Sequence, residues 1–105
     1  REVQESPMEQ GVAEIIAYRF DTTRAQNNGT ATPSGVVVAV FDITDGAYTD
    51  VTSTVMPTNS PSISTVYITL SPLKLLTADK IYRVEILFVV SGNTLEHYHI
   101  INARK

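Results

Sequence analysis

Apolar and polar residues alternate most cleanly over residues 81–90, where Tyr82, Val84, Ile86, Phe88 and Val90 share one parity and Arg83 and Glu85 the other. Successive strand side chains point to opposite faces, so this pattern predicts a strand with one buried face. Leu87 and Val89 interrupt the polar parity, which predicts that something covers the far half of that face. Ser91-Gly92-Asn93 then supplies a turn, and residues 95–103 run back to complete a carboxy-terminal hairpin. Residues 36–43 are apolar on both parities until Asp42 and read as a central strand. Asp45-Gly46 turns the chain into residues 48–56, a weakly alternating strand with Val51 and Val55 opposite Asp50, Thr52 and Thr54. In residues 62–70, Val66, Ile68 and Leu70 oppose Ile63, Thr65, Tyr67 and Thr69, which predicts one further strand.

Residues 12–20 satisfy both spacings, since Val12, Ile15, Ile16 and Phe20 also fit a helical face. The surrounding strands favour a first strand here, followed by a long polar loop over residues 21–34. Residues 1–10 lack periodicity and contain Pro7, and they read as a flexible leader or an arm that orders against a partner. Residues 11–105 then form a single domain. Val, Ile and Thr supply 34 of the 105 residues, and these branched side chains suit a pleated, half-buried surface. The expected fold is all-β, a Greek-key immunoglobulin-like sandwich of about seven antiparallel strands.

One stretch is more specific. In LSPLKLLTADKIY, residues 70–82, Leu76 stands six positions before Tyr82, which opens the alternating strand. A chain crossing between sheets must satisfy its backbone polar groups, and a tyrosine there can reach back with its hydroxyl while its ring stays in the core. This pair resembles the tyrosine corner of fibronectin type III and related immunoglobulin-like domains, over residues 66–103. The chain departs from those families in having neither tryptophan nor cysteine. A looser likeness runs through FDITDGAYTDVT (residues 41–52), ITLSPL (68–73) and YRVEILFVVSGNTLE (82–96). Their spacing resembles that of small β-sandwich proteins of tailed-bacteriophage and prophage particles, which implies a structural role in a virion head, neck or tail.

Charge and composition narrow the partners. Eleven acidic against eight basic residues give a net charge of −3, which leaves no basic field for phosphate backbones, so no nucleic-acid partner is expected. The longest apolar run, residues 36–41, is far shorter than the roughly 18 residues of a membrane-spanning helix, and no membrane partner is expected. With no cysteine, thiolate chemistry and cysteine-ligated zinc are excluded.

Candidate chemistry is sparse. His97 and His99 share one strand face and offer two imidazoles to a metal, without a visible third ligand, so they read as solvent-side histidines of an edge strand. Asp42, Asp45 and Asp50 flank a turn without the ligand order of a calcium loop and read as turn caps. Ser64 and Ser91 lie in no nucleophile elbow, Glu85 and Glu96 read as exposed charges, and Asn28-Gly29-Thr30 as a turn. No catalytic residue, metal or cofactor is expected. Function is then expected in surfaces, either a protein interface at Leu87, Val89, Arg83 and Glu85, used for self-association or a larger assembly, or an aromatic platform for carbohydrate at Tyr48, Tyr67, Tyr98 and Phe41. The first implies a structural or interaction domain of a virion. The second implies a binding or adhesion module of a secreted or cell-surface protein.

Overall fold

The computed structural model describes residues 2–4, 8–23, 26 and 29–105. Its strands are β1 (Glu2–Gln4), β2 (Met8–Gly11), β3 (Arg19–Asp21), β4 (Ser34–Asp42), β5 (Thr49–Asp50), β6 (Ser62–Ser64), β7 (Tyr67–Thr69), β8 (Ile81–Val90) and β9 (Asn93–Arg104), with one helical turn, α1 (Thr52–Val55), after β5. The first sheet has the order β1-β9-β8-β4-β5, with β2 also on β9, and the second has the order β3-β7-β6. Phe20, Val40, Ile68, Leu73, Ile86 and Phe88 fill the space between them, giving a mostly β, sandwich-like molecule.

The hairpin β8–β9 is the longest pairing. Its register runs from Ile81 opposite Asn102 to Val90 opposite Asn93. Ser91 and Gly92 close it with φ of 51° and 80°, the positive values that a tight two-residue turn needs to match strand twist. Every even residue from Tyr82 to Val90 is buried, as the alternation predicts.

Tyr82 is buried, and its hydroxyl accepts a 2.9 Å hydrogen bond from the Thr77 backbone N–H. The connection from β7 to β8 has no regular ladder, so its polar groups are matched one by one. The Leu73 N–H donates to Ile16, that of Lys74 to Val55, and that of Asp79 to Ala103. Leu76 is buried beside this run, while Leu75, at φ 60°, turns outward.

Four expectations need correction. First, the described residues form nine strands where about seven were expected, and the first sheet is mixed, because β1 and β2 run parallel to β9. Second, the leader ascribed to residues 1–10 includes these two strands. Gln10 is fully buried, with Nε2 donating to the Leu73 carbonyl at 2.7 Å and Oε1 accepting from the Tyr18 hydroxyl at 2.8 Å. A polar side chain with tertiary partners leaves no hydrophobic periodicity to read. Third, residues 48–56 hold a strand only at Thr49–Asp50, since the Asp50 carboxylate accepts from the N–H and hydroxyl of Thr52 and starts a helical turn that buries Val55. Fourth, residues 62–70 are a hairpin: Thr65, at φ 53°, begins a two-residue turn that folds β6 onto β7. The first strand expected over residues 12–20 is present only from Arg19, where β3 begins; the residues before it are irregular apart from a lone bridge from Ile16 to Leu73.

Candidate functional site

The outward residues of β8 lie in register with those of its two neighbours. Leu87 stands between Val37 and Glu96, Glu85 between Ala39 and Tyr98, and Arg83 between Phe41 and Ile100. Directly opposed residues share a face, so the expected interface residues do fall on one surface, the outer face of β4, β8 and β9. The face has two halves of different character. In one, the Arg83 guanidinium lies 3.6 Å from the centre of the Tyr98 ring, bonds Glu85 at 2.7 Å and approaches Glu96 at 3.7 Å. Tyr48 stacks on Phe41 at 4.4 Å, and its hydroxyl donates to the same Glu85 carboxylate, which raises the Tyr48 pKa.

The other half is apolar. Val37 is 59% exposed and Leu87 38%. Among the described residues no segment covers them. Val89 differs: it is half-buried where a bulge between Ser34 and Val37 brings Gly35 close to its Cγ2. The apolar run at residues 36–41 read as buried on both faces, yet Val37 points to solvent, and it is the member of this surface that sequence reasoning missed.

His97 and His99 lie opposite to expectation, each only 2% exposed on the inner face of β9. The expectation of solvent-side histidines fails on parity, since Leu95, Ile101 and Ala103 share theirs and fix it as inward. The His97 ring stacks on Phe20 at 4.3 Å, Tyr18 packs against His99 at 5.5 Å, and the two imidazoles are 6.2 Å apart. The Nε2 of His99 makes no hydrogen bond among the described residues. Burial, and then the neighbouring His97, push the His99 pKa down to about 4, so the ring is neutral at pH 7. Beside it a cleft of about 240 Å³ opens between β2 and β3, lined by Met8, Tyr18, Arg19, Phe20, Asp21 and His99.

No family model, curated protein or solved structure matches the chain.

The remaining candidates are scattered. Asp42 accepts from the N–H and hydroxyl of Thr44, and Asp50 does the same for Thr52; these bonds hold both carboxyls below the usual range. Both thus act within their own turns. The four aromatic residues form no common platform: Tyr67 belongs to the second sheet, under Arg19, and Tyr98 lies beneath Arg83. Asn28 falls outside the described residues.

Among the described residues no three His, Asp or Glu side chains are grouped to hold a metal ion. The melting temperature is accordingly expected to be the same in excess zinc and in chelator, because only a metal bound by the native state raises it. A zinc-dependent rise that is absent from the double variant His97→Ala, His99→Ala would contradict this.

Proposed function

We propose that the chain is a non-enzymatic structural or interaction domain, an immunoglobulin-like Greek-key sandwich that associates through the outer face of β4, β8 and β9. Two features support the Greek-key reading: the strand orders β1-β9-β8-β4-β5 and β3-β7-β6, and the Tyr82 hydroxyl on the Thr77 N–H at the crossing from β7 to β8. The observation that carries the functional reading is the pair Val37 and Leu87, opposed in register and both exposed beside a fixed lattice of Arg83, Glu85, Glu96 and Tyr98. A contiguous apolar spot with a pre-ordered polar rim is the usual anatomy of a contact surface. The likeness of residues 41–96 to phage-particle sandwich proteins favours an assembly as the setting, a phage or prophage virion.

Sedimentation across a concentration series tests the association. The parent is expected to self-associate and Leu87→Glu to be a folded monomer, because a charge at the centre of an interface is desolvated without a partner. Identical monomeric behaviour of both would reject self-association through this face. Loss of the folded circular-dichroism spectrum in Leu87→Glu would place Leu87 in the monomer's own core. Saturable sugar binding by a monomer, abolished by Tyr48→Ala, would replace the reading with a carbohydrate module, since Tyr48 is 58% exposed.

A further inference from the structure

Among the described residues the second sheet ends at β3. The Tyr18 carbonyl accepts from the Leu70 N–H at 2.7 Å, the Thr22 N–H donates to the Val66 carbonyl at 2.9 Å, and Phe20 lies opposite Ile68 between them. In an antiparallel pair alternate residues bond the neighbouring strand. Tyr18, Phe20 and Thr22 therefore face β7, and Arg19 and Asp21 turn their N–H and C=O groups the other way. Among the described residues no strand pairs with that side of β3. Charged side chains commonly guard such an edge, but these two are engaged elsewhere. The Arg19 guanidinium sits 4.4 Å from the centre of the Tyr67 ring, and the Asp21 carboxylate accepts from the N–H and hydroxyl of Thr23.

The two sheets also end unevenly. Stacking of Phe20 on His97 sets β3 above β9, yet the first sheet continues past β9 with β1 and β2. The first sheet overhangs by one strand, and the cleft lies in that step, with Met8 of β2 below and Tyr18 and Phe20 above. A strand added to β3 at the normal spacing of about 4.8 Å would lie over β2, and its inward side chains would enter the cleft.

We propose that the free edge of β3 accepts an extended peptide segment of a partner protein by strand addition. Only another backbone presents donors and acceptors at the spacing of Arg19 and Asp21. Met8, the Tyr18 and Phe20 rings and His99 line the cleft together with Arg19 and Asp21, whose charged groups are held by Tyr67 and Thr23, so short apolar side chains suit its interior. This edge belongs to the second sheet and is separate from the outer face of the first, so each proposal can fail without the other.

Amide hydrogen exchange, read by NMR, tests it. The probe is a blocked peptide of about seven residues alternating valine and threonine. In the protein alone the Arg19 and Asp21 amides are expected to exchange fast and those of Phe20 and Thr22 slowly. Saturating peptide is expected to slow Arg19 and Asp21 by about tenfold or more, and the same peptide N-methylated at alternate residues is expected to have no effect. Slow exchange of Arg19 and Asp21 in the protein alone would overturn the proposal, because the edge is then already paired. Failure of millimolar peptide to slow them, or equal protection by the N-methylated peptide, would do the same. Protection that grows with protein concentration alone would show a second copy of this chain to be the occupant and would overturn the partner segment.

Discussion

Leu76→Ala is expected to lower the free energy of unfolding by about 2–5 kcal/mol, the range for truncating a buried leucine in a site that cannot collapse. Leu76 is buried where the chain crosses from β7 to β8, and its neighbours there are fixed by single hydrogen bonds to Ile16, Val55 and Ala103. Such a segment has little freedom to close around a cavity. Tyr82→Phe removes only an oxygen, yet it leaves the Thr77 N–H without its acceptor in a part-buried site, and the expected cost is about 1–3 kcal/mol. Urea melts of both variants check these values. A loss below about 0.5 kcal/mol for Tyr82→Phe would mean that the hydroxyl is not what secures the crossing.

Acidification is expected to remove about 3 kcal/mol of stability as the pH falls from about 6.5 to about 4. The folded protein holds the His99 pKa at about 4, below the ordinary histidine value of 6.5, because burial leaves a protonated ring without the water that would solvate it, and the neighbouring His97 adds to the effect. Within that window the unfolded chain binds a proton that the native state refuses. The contribution is complete above the unfolded pKa and lost as the pH falls through the folded one. Among the described residues the groups beside His99 are His97 on its own strand, Met8 from β2, Tyr18, with Glu14 near it, from the connection, and Arg19 and Asp21 on the rim of the cleft. Replacement His99→Leu is expected to flatten the profile of unfolding free energy between those pH values. A parent profile already flat there would show that the ring becomes charged without cost and is not buried as described.

How much of this was legible in the sequence depends on which residues carry the information. Residues 81–90 bury their even positions because the second sheet, through residues such as Phe20 and Ile68, packs on one face of β8 and leaves the other open, so alternation alone suffices. The same rule applied to β9 would have placed His97 and His99 inside, since Leu95, Ile101 and Ala103 share their parity. Residue type misled there, because histidine reads as a surface residue unless the strand's phase outweighs it. Gln10 was illegible for a different reason: its burial is stabilised by the hydroxyl of Tyr18 and by the carbonyl of Leu73, 63 residues away, and no periodicity announces such partners. The short strands failed on length, as β5 and β6 end where Asp50 caps a turn and where Thr65 adopts a positive φ. The outward residues Leu87, Arg83 and Glu85 were readable from the alternation of β8, but Val37 was not, since an all-apolar run does not say which face meets solvent.

The contact surface is tested most directly by an NMR dilution series that follows amide and methyl shifts residue by residue. Association through this face predicts concentration-dependent shifts confined to Val37, Ala39, Glu85, Leu87 and Glu96, with the buried residues of β8 unmoved. Shifts that do not change with concentration, or that appear instead on β3, β6 and β7, would contradict association through the outer face of β4, β8 and β9.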